Sequence, residues 1–541
     1  MPAPISPILV RDLSVAFRSG PVLTGIDLTA APGQRVALVG ENGSGKSTLL
    51  RAVAGLLPRT AQVSGTTEAP ADLVWLPQEP PFRDGDTVAQ VLATTLRPLR
   101  AAVDAVERLA DRLEEPESGQ RYAEALDFAV AHDAWDADRR ALLAAERLGL
   151  SGLPPDRRVG TLSGGQRTRL ALATAITRRP DALLLDEPTN HLDDDAVGTL
   201  AEFLRDLPGA VLFASHDRVF LDEVATGLVD LDPVPAGSFG TDGGGGRRFG
   251  GGWTAYEQAR RAARGRWEQT YAEQQDELRR LRQATRIGTE AVSHNRGPRD
   301  ADKFLYGFKA GKVERTVSRR TRDAQRRLDE AERTQVRKPP APLRLNATVG
   351  AAGAGGRIVL VRDLDVPGRL QLPVLDVTAE EHLLVTGTNG SGKSTLVGVL
   401  SGRITSYAGD VQVAARQVAE LTQDPAFVDL RRSARDTYLD VVGEELAAER
   451  PLRDLGLLHP RDLHRPVGAL SAGQRRRLAL AVVLASGPDL LLLDEPTNHL
   501  SLALASELEE AIGASTGTVV VASHDRWLRR HWDGRVLALG G

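Results

Sequence analysis

The sequence predicts an α/β fold in which two P-loop domains lie in tandem and a long antiparallel α-helical hairpin joins them. Three observations predict it: a Gly-rich phosphate-binding loop occurs twice, three further motifs recur in both halves, and a basic segment with helical periodicity separates the halves. We place the first P-loop domain at residues 1–235, a Gly-rich joint and the hairpin linker at 236–340, and the second P-loop domain at 341–541.

Composition narrows the class of protein. The 541 residues suffice for several domains, and 41% hydrophobic and 26% charged residues are ordinary for a globular protein. No apolar run approaches the ~18 residues of a membrane-spanning helix, and the first residues lack the basic and apolar segments of a secretory signal. The absence of cysteine excludes disulfides and cysteine-based zinc or iron–sulfur sites. We therefore expect a cytoplasmic protein.

The chain contains an internal duplication. GENGSGKS at residues 40–47 recurs as GTNGSGKS at 387–394, an offset of 347. Three later motifs recur at an offset of 308: LSGGQ at 162–166 and LSAGQ at 470–474, LDEPTNHL at 185–192 and 493–500, and ASHDR at 214–218 and 522–526. The first copy thus carries about 39 additional residues. Because Gln78 and Gln423 differ by 345, nearly all of them follow Gln78, and we place a helical insertion at about 86–125.

The first phosphate loop follows a predicted sheet. Residues 8–28 alternate apolar and polar side chains, which predicts antiparallel strands, and residues 35–39 form a buried strand that leads into the loop. Glycines let backbone N–H groups approach phosphates. Lys46 is expected to reach the β- and γ-phosphates and Ser47 to bind Mg²⁺, at the N-terminus of a helix. The predicted ATP-binding residues of the two loops are Gly40, Asn42, Gly43, Gly45, Lys46, Ser47 and Thr48, and Gly387, Asn389, Gly390, Gly392, Lys393, Ser394 and Thr395.

Polar residues follow the next buried strands. Gln78 can orient water or contact Mg²⁺, and Asp186, which ends the strand at 182–186, is suited to Mg²⁺. Glu187 can polarise the attacking water. A lone histidine is more often structural, but His216 also follows a buried strand and the pattern recurs, which favours a γ-phosphate sensor. The predicted Mg²⁺ set is Ser47, Gln78, Asp186, Ser394, Gln423 and Asp494, and the predicted catalytic set is Glu187, His216, Glu495 and His524.

Residues 86–113 and 119–148 are predicted to be helical. In LSGGQ, Ser163 is a good N-cap for a helix over 167–177, and the glycines leave room for an anion. Such a motif alone would indicate only a helix cap, but its position 23 residues before Asp186 favours a nucleotide contact. The predicted residues are Ser163, Gly164, Gly165 and Gln166, and Ser471, Ala472, Gly473 and Gln474.

The segment between the copies has a different composition. Residues 235–252 contain nine glycines and predict a flexible joint. Residues 247–338 carry 24 Lys and Arg against 13 Asp and Glu, a net charge of +11 in a chain of net charge −4, which indicates a polyanionic partner. Two heptad-like seams predict paired helices: Trp267, Tyr271, Gln274, Leu278 and Leu281, and Val313, Val317, Ala324, Leu328 and Ala331. The alternative is a solvated coiled coil whose charges only keep it soluble.

Aromatic and cationic side chains alternate at the predicted tip of the hairpin, over residues 303–309. This composition suits base stacking and phosphate contact on RNA, whereas the alternative is that the aromatics only close the end of the hairpin. The predicted RNA-contact residues are Arg296, Arg299, Lys303, Phe304, Tyr306, Phe308, Lys309 and Lys312.

Together these motifs resemble the ATP-binding cassette (ABC) family. In its terms residues 40–47 are the Walker A loop, Gln78 the Q-loop, LSGGQ the signature motif, Asp186 and Glu187 the Walker B aspartate and catalytic glutamate, and His216 the switch histidine. The LDEPTNHL wording, two copies in one chain and the charged helical linker resemble the ABC-F subfamily over essentially the whole chain, and the insertion after Gln78 matches its arm. The predicted fold class is therefore two ABC-type ATPase domains.

The resemblance also implies an activity and partners. It implies an ATPase using ATP and Mg²⁺, with the Walker A loop of each copy facing the other copy's signature motif. It implies binding to the 70S ribosome near the tRNA exit site, with the hairpin directed towards 23S rRNA, the P-site tRNA and the peptidyl-transferase centre, and with no transmembrane partner and no DNA. Several relatives protect ribosomes from macrolides, lincosamides or streptogramins. The alternatives are a housekeeping translation factor, the ATPase subunit of a drug exporter and a DNA-acting ATPase.

Three departures from the family pattern predict unequal ATP sites. Ala472 replaces the usual signature glycine. Its Cβ is expected to crowd the approach of the γ-phosphate, and the change costs about 1 kcal/mol or more if its φ is positive, which weakens the site built on Lys46. Ser501 stands where the first copy has Asp193. Phe17 can stack on adenine, whereas the matching place near Gly368 has no aromatic residue. We expect Glu187→Gln and Glu495→Gln to differ in their effect on ATP turnover.

Overall fold

The computed structural model describes residues 5–41, 43–115, 117–190, 192–232, 246–293, 322–339, 356–388, 390–423, 425–455, 457–498 and 500–540. The chain divides into two compact units. Met1–Pro233, Gly244–Tyr256 and Ala341–Gly541 form the first unit, and Val234–Gly243 and Glu257–Pro340 form the second. Within the first unit, the part before residue 257 is called the first copy and the part after residue 340 the second copy.

The strands of the first copy form two sheets. They are β1 (Ile8–Phe17), β2 (Gly20–Ala30), β3 (Arg35–Val39), β4 (Gln62–Glu68), β5 (Leu73–Leu76), β6 (Ala182–Asp186), β7 (Ala210–Ala214), β8 (Gly227–Asp230) and β9 (Arg247–Gly250). One sheet is antiparallel, in the order β2-β1-β4, as the alternation over 8–28 predicts. The other has the order β5-β6-β7-β3-β8-β9 and is parallel except for β9.

Both faces of the parallel sheet are buried. Leu183 and Leu185 of β6 belong to the apolar core on the helical face, whereas Ala182 and Leu184 belong to the core shared with the antiparallel sheet. Side chains alternate between faces, so a strand covered on both sides reads as a continuous apolar run. Each fully buried leucine contributes about 1.5–3 kcal/mol, which fixes the strand and thereby the position of the polar residue at its end.

The helices of the first copy surround this sheet. They are α1 (Lys46–Val53), α2 (Val88–Ala110), α3 (Ser118–Ala131), α4 (Ala137–Arg147), α5 (Gly164–Arg178), α6 (Asp194–Asp206) and α7 (Arg218–Val224), with 3₁₀ turns at Ala134–Asp136 and Val159–Thr161. The prediction of one helix over 119–148 is wrong. Asp133 adopts a left-handed φ of +48°, which ends α3, and Nε2 of the adjacent His132 lies 2.8 Å from Oδ2 of Asp72.

Part of the Gly-rich joint belongs to the sheet. Residues 247–250 form β9, which pairs antiparallel with β8, so the prediction of a flexible joint over 235–252 is wrong for these residues. Backbone N–H and C=O groups of β8 make the pairing possible whatever the side chains are. Directly after β9, Trp253 is buried and the hydroxyl of Tyr256 donates to Asp230, 2.7 Å away.

The second copy repeats the architecture. Its strands are β10 (Arg357–Val366), β11 (Leu370–Thr378), β12 (His382–Thr386), β13 (Ala408–Val413), β14 (Val418–Leu421), β15 (Leu490–Asp494), β16 (Thr518–Ala522) and β17 (Arg535–Ala538). They form sheets in the orders β11-β10-β13 and β14-β15-β16-β12-β17. The helices are α10 (Lys393–Leu400), α11 (Ala434–Val442), α12 (Glu444–Glu449), α13 (Ala472–Ser486), α14 (Leu502–Gly513) and α15 (Arg526–Arg530), with 3₁₀ turns at Pro460–Asp462 and Val467–Ala469.

The second unit contains most of α8 (Trp253–Ser293) and α9, described over 322–334. Trp267 Nε1 donates to the carbonyl of Arg337 at 2.9 Å, and Arg282 pairs with Glu332 at 2.8 Å, so these segments run side by side in opposite directions. Leu278 and Leu328, one from each predicted seam, are buried. The predicted tip residues lie outside the described ranges. Within those ranges, no helix combines the length and the apolarity that crossing a bilayer requires.

Candidate active sites

Both phosphate loops enclose their lysine. Lys46 Nζ donates to the carbonyls of Gly40 and Glu41 at 2.8 and 3.2 Å, and burial lowers its pKa. Lys393 makes the matching contacts with Gly387 and Thr388 at 2.7 and 3.1 Å. Gly45 has a φ of +101°, and a Cβ there would lie 2.5 Å from a methyl carbon of Leu23. Position 45 therefore requires glycine, because any other residue would be strained at this φ and its Cβ would clash with Leu23.

Oxygen donors suited to a magnesium ion lie beside each lysine. Asp186 and Asp494 end β6 and β15 and are buried. In the second copy, the hydroxyl of Ser394 donates to Oδ1 of Asp494 at 3.0 Å, and burial raises the pKa of this aspartate. Among the described residues there is no cluster of three or more His, Cys, Asp or Glu that could hold a metal by itself. One hydroxyl and one carboxylate fit Mg²⁺, which usually completes its shell with substrate phosphates and water.

Each glutamate that the sequence predicts to be catalytic has a left-handed backbone. The φ angles of Glu187 and Glu495 are +52° and +49°. Their N–H groups donate to the neighbouring strands, to Ala214 at 2.9 Å and to Ala522 at 2.8 Å, which holds this unfavourable conformation. Non-glycine residues in this region are uncommon and cluster at functional sites. Because both copies have this unusual φ at the same position, we infer that it serves to orient the glutamate side chain.

Each predicted switch histidine contacts the glutamate of its own copy. His216 donates through its backbone N–H to Glu187 at 3.2 Å, and its Nε2 lies 3.3 Å from the carboxylate. His524 Nδ1 lies 2.7 Å from Oε1 of Glu495, and this hydrogen bond raises the pKa of His524. The histidine and the glutamate are therefore brought together in both copies, with a shorter contact in the second.

The Q-loop glutamines follow the strands next to those that end in the aspartates. Gln78 follows β5, which neighbours β6, and Gln423 follows β14, which neighbours β15. Gln78 lines a small cleft together with Asp186, Glu187 and Thr168. In the second copy, the carbonyl of Gln423 accepts a hydrogen bond from Arg476. Sequence reasoning missed Arg476. The signal available in the sequence was the difference between the two copies at this position, where the first copy has Thr168.

The signature motifs cap their helices as predicted. Ser163 and Ser471 each form a reciprocal capping box with the glutamine three residues later. The backbone cost predicted at Ala472 depended on a positive φ. Ala472 is the first residue of α13, and a Cβ at the matching Gly164 would meet nothing within 4 Å. A helical position accepts alanine, so this replacement carries no backbone penalty.

One cross-copy contact brings a signature helix to a phosphate loop. Arg477 of α13 lies 3.3 Å from the carboxylate of Glu41. Its counterpart Arg169 instead pairs with Asp193 of its own copy at 2.8 Å. Ser501 replaces Asp193 in the second copy, where it still caps α14 but offers no carboxylate. The Asp-to-Ser difference seen in the sequence thus accompanies a change of partner for the arginine.

The repeated ASHDR segments contact each other. Arg218 donates to Glu509 at 2.7 Å and to Asp525 at 2.8 Å, and Arg526 donates to Asp217 at 3.4 Å. Arg218 also lies over Trp527, 5.5 Å from the ring centre. The repeat was visible in the sequence, but its role in joining the copies was not.

The remaining predicted residues are only partly placed. Phe17 lines an open cleft with Arg18, Ser19 and Thr60. Gly368 lies in the corresponding β10–β11 turn with a φ of +69°. Asn42 and Asn389 lie outside the described residues. So do the predicted RNA-contact residues, which are Arg296, Arg299, Lys303, Phe304, Tyr306, Phe308, Lys309 and Lys312.

Known proteins share these features. The family described as ABC transporter matches residues 23–190 and 371–498. The tylosin resistance ATP-binding protein TlrC of Streptomyces fradiae is 38% identical over 99% of this chain and 98% of its own length. The energy-dependent translational throttle protein EttA of Mycobacterium tuberculosis is 32% identical over 96% of this chain and 89% of its own. The archaeal ribosome recycling factor aABCE1, solved with the stalk protein aP1, has the same fold with a TM-score of 0.54 at 19% identity, covering 98% of this chain and 87% of that chain.

Proposed function

This chain belongs to the ABC-F proteins of the ATP-binding cassette family and is an ATPase, and on that premise we propose that it acts on the ribosome. It binds the 70S particle near the tRNA exit site, in the cytoplasm, without a transmembrane partner or DNA. There it protects the peptidyl-transferase region from macrolide, lincosamide or streptogramin antibiotics. The observation that carries this proposal is 38% identity to a tylosin resistance protein over 99% of the chain.

Hydrolysis transfers the γ-phosphoryl group of ATP to water. Glu187 and Glu495 polarise that water, and His216 and His524 hold the carboxylates through the contacts described above. Lys46, its counterpart and the N–H groups of the phosphate loops stabilise the negative charge that develops on the phosphoryl oxygens. Mg²⁺, when bound with ATP, neutralises phosphate charge, and Ser47, Asp186, Ser394 and Asp494 are the residues that would hold it, with Gln78 and Gln423 beside them.

ATP binding is coupled to the contact between the copies. The Arg477–Glu41 pair joins a signature helix to the opposite phosphate loop. The nucleotide therefore binds at the contact between the two copies, so its binding affects their closure. In this proposal closure with ATP creates the ribosome-binding form, and hydrolysis followed by phosphate release reopens the copies and frees the protein.

The linker supplies the contact with RNA. Its net charge of +11 over residues 247–338 suits a polyanion. The 41 residues of α8 span about 60 Å at 1.5 Å per residue, enough to reach far from where the helix begins. We place the tip residues, Phe304, Tyr306 and Phe308 among them, against 23S rRNA and the P-site tRNA.

Ribosome pelleting tests the binding step. The Glu187→Gln/Glu495→Gln double variant should retain ATP and co-sediment with 70S ribosomes at least tenfold more with ATP than with ADP. The Lys46→Ala/Lys393→Ala variant, which weakens nucleotide binding, is the matched control and should show no such difference. Equal sedimentation of the glutamine variant in both nucleotides would contradict the proposal.

Drug susceptibility tests the protective role. The wild type and the double glutamine variant are expressed at equal levels in a sensitive bacterium and challenged with tylosin, a lincosamide, a streptogramin and a pleuromutilin. The wild type should raise the inhibitory concentration of at least one drug severalfold, and the variant should not. No rise for any drug would remove the protective role.

A housekeeping role in translation is the second candidate. The 32% identity to a translational throttle protein over 96% of the chain favours it. Deletion in the native host separates the two: growth loss without antibiotic indicates a translation factor, whereas sensitivity only under drug indicates protection.

A further inference from the structure

Arg476 is a buried arginine at the second ATP site. It lies in the second turn of α13 and is 1% exposed. Nη2 donates to the carbonyl of Asp494 at 2.9 Å and also to that of Glu495, and Nη1 donates to the carbonyl of Gln423. One side chain thus joins the signature helix to the Walker B strand end, the catalytic glutamate and the Q-loop.

The matching residue of the first copy does not make this connection. Thr168 stands at the matching position, 308 residues earlier, and its hydroxyl donates to the carbonyl of Gly164 in its own helix at 3.1 Å. Thr168 lines a cleft with Gln78, Asp186 and Glu187, the counterparts of the three residues that Arg476 binds. The space occupied by the guanidinium in one copy is therefore a cleft in the other.

A guanidinium holds its acceptors more firmly than a threonine can. It is planar, carries five donors in a fixed arrangement and remains charged when buried. Burying that charge is unfavourable unless its donors are hydrogen-bonded. Movement of the three carbonyls away from α13 would break these hydrogen bonds and cost free energy. One of them belongs to Glu495, whose left-handed backbone aims the carboxylate.

We propose that Arg476 is a positioning residue for hydrolysis at the site built on Lys393 and Glu495, and that the site built on Lys46 and Glu187 works without an equivalent. Arg476 makes α13, Gln423 and Glu495 move as one body when the copies close. In the site built on Glu495, closure of the two copies is therefore coupled more tightly to the orientation of the glutamate than in the site built on Glu187. This inference concerns the ATPase cycle and holds whatever the protein binds.

Steady-state kinetics without ribosomes tests the proposal. In a Glu187→Gln background, where turnover depends on Glu495, Arg476→Thr should lower kcat at least tenfold and change KM for ATP less than threefold. Arg476→Lys should restore part of kcat. In a Glu495→Gln background the same Arg476→Thr change should have an effect at least fivefold smaller. Arg475→Thr, which removes the same charge one residue earlier, is the matched control and should lower kcat less than twofold.

Hydrogen exchange gives a readout that does not need turnover. Arg476→Thr should speed amide exchange at least fivefold in peptides covering 418–423 and 490–498, and should leave the matching first-copy peptides over 73–78 and 182–190 unchanged. Equal kcat losses in both backgrounds, or unchanged exchange in the second-copy peptides, would overturn the proposal. Faster exchange in both copies would show general destabilisation and would also overturn it.

Discussion

Arg218→Met is expected to weaken the contact between the two copies. Arg218 is 1% exposed, and its guanidinium binds the carboxylates of Glu509 and Asp525 and lies over Trp527. Methionine retains much of the side-chain volume and removes the charge. Two carboxylates of the second copy would then lose their ion pairs with Arg218 while remaining largely covered.

The magnitude follows from burial. Removing one member of a buried ion pair destabilises a protein by about 3–5 kcal/mol, because the remaining charge stays desolvated. The side chains of Glu509 and Asp525 are 16% and 22% exposed, so water relieves part of this loss. We expect a loss at the lower end, about 3 kcal/mol. For a domain of about 200 residues this lowers Tm by about 6–12 °C, which scanning calorimetry resolves.

Arg530→Met is the matched control at the same interface. Arg530 pairs with Glu223 across the copies at 3.0 Å, but its side chain is 54% exposed. An exposed pair of this kind contributes about 0–1 kcal/mol. If Arg218→Met lowers Tm no more than Arg530→Met, the reasoning from burial is refuted.

The pH dependence separates charge from packing. Burial favours a raised pKa for Asp525, but Arg218 and backbone hydrogen bonds from Leu528 and Trp527 bring the pKa below its ordinary value. This group therefore stabilises the wild type above about pH 4, and the contribution is lost as pH falls through the lower folded pKa. In Arg218→Met the guanidinium no longer opposes burial, and only the backbone hydrogen bonds still do, so the folded pKa of Asp525 rises and this group stabilises the variant less than the wild type. The difference in Tm should therefore shrink as pH falls below about pH 4 towards the lowered folded pKa of the wild type. A constant difference would assign the loss to packing.

Three further predictions concern the sites and the linker. Glu41→Gln and Arg477→Gln should each weaken ATP binding about two- to fivefold, since Glu41 is half-exposed, and a Glu41→Arg/Arg477→Glu exchange should recover part of the loss in a nucleotide-displacement assay. His524 should titrate above its ordinary pKa because it hydrogen-bonds Glu495, so its charge is present at low pH and is lost as pH rises through the raised pKa. Histidine NMR should show this raised pKa, and Glu495→Gln should lower it again. Replacing Phe304, Tyr306 and Phe308 by Ala should abolish drug protection and leave ATPase activity intact, and persistence of protection would reduce the tip to a spacer.

Local sequence predicted most of the fold. The fold class of two tandem α/β ATPase domains and the family resemblance are confirmed. They were predictable because a buried parallel strand needs a continuous apolar run, and a glycine loop followed by a lysine and a helix leaves few backbone solutions. The helix break at Asp133 and the strand at 247–250 were not predictable, because one depends on a single left-handed residue and the other on an open sheet edge.

The sequence by itself determined which residue types stand at the strand ends and that they occur twice. Only the tertiary structure decided their partners. Arg169 and Arg477 occupy the same motif position, yet one pairs within its copy and the other across to Glu41. Long flexible side chains have many possible partners along a chain, and packing of distant segments selects one of them. The arrangement of the carbonyls around Arg476 is a further result of that packing, which no local pattern encodes.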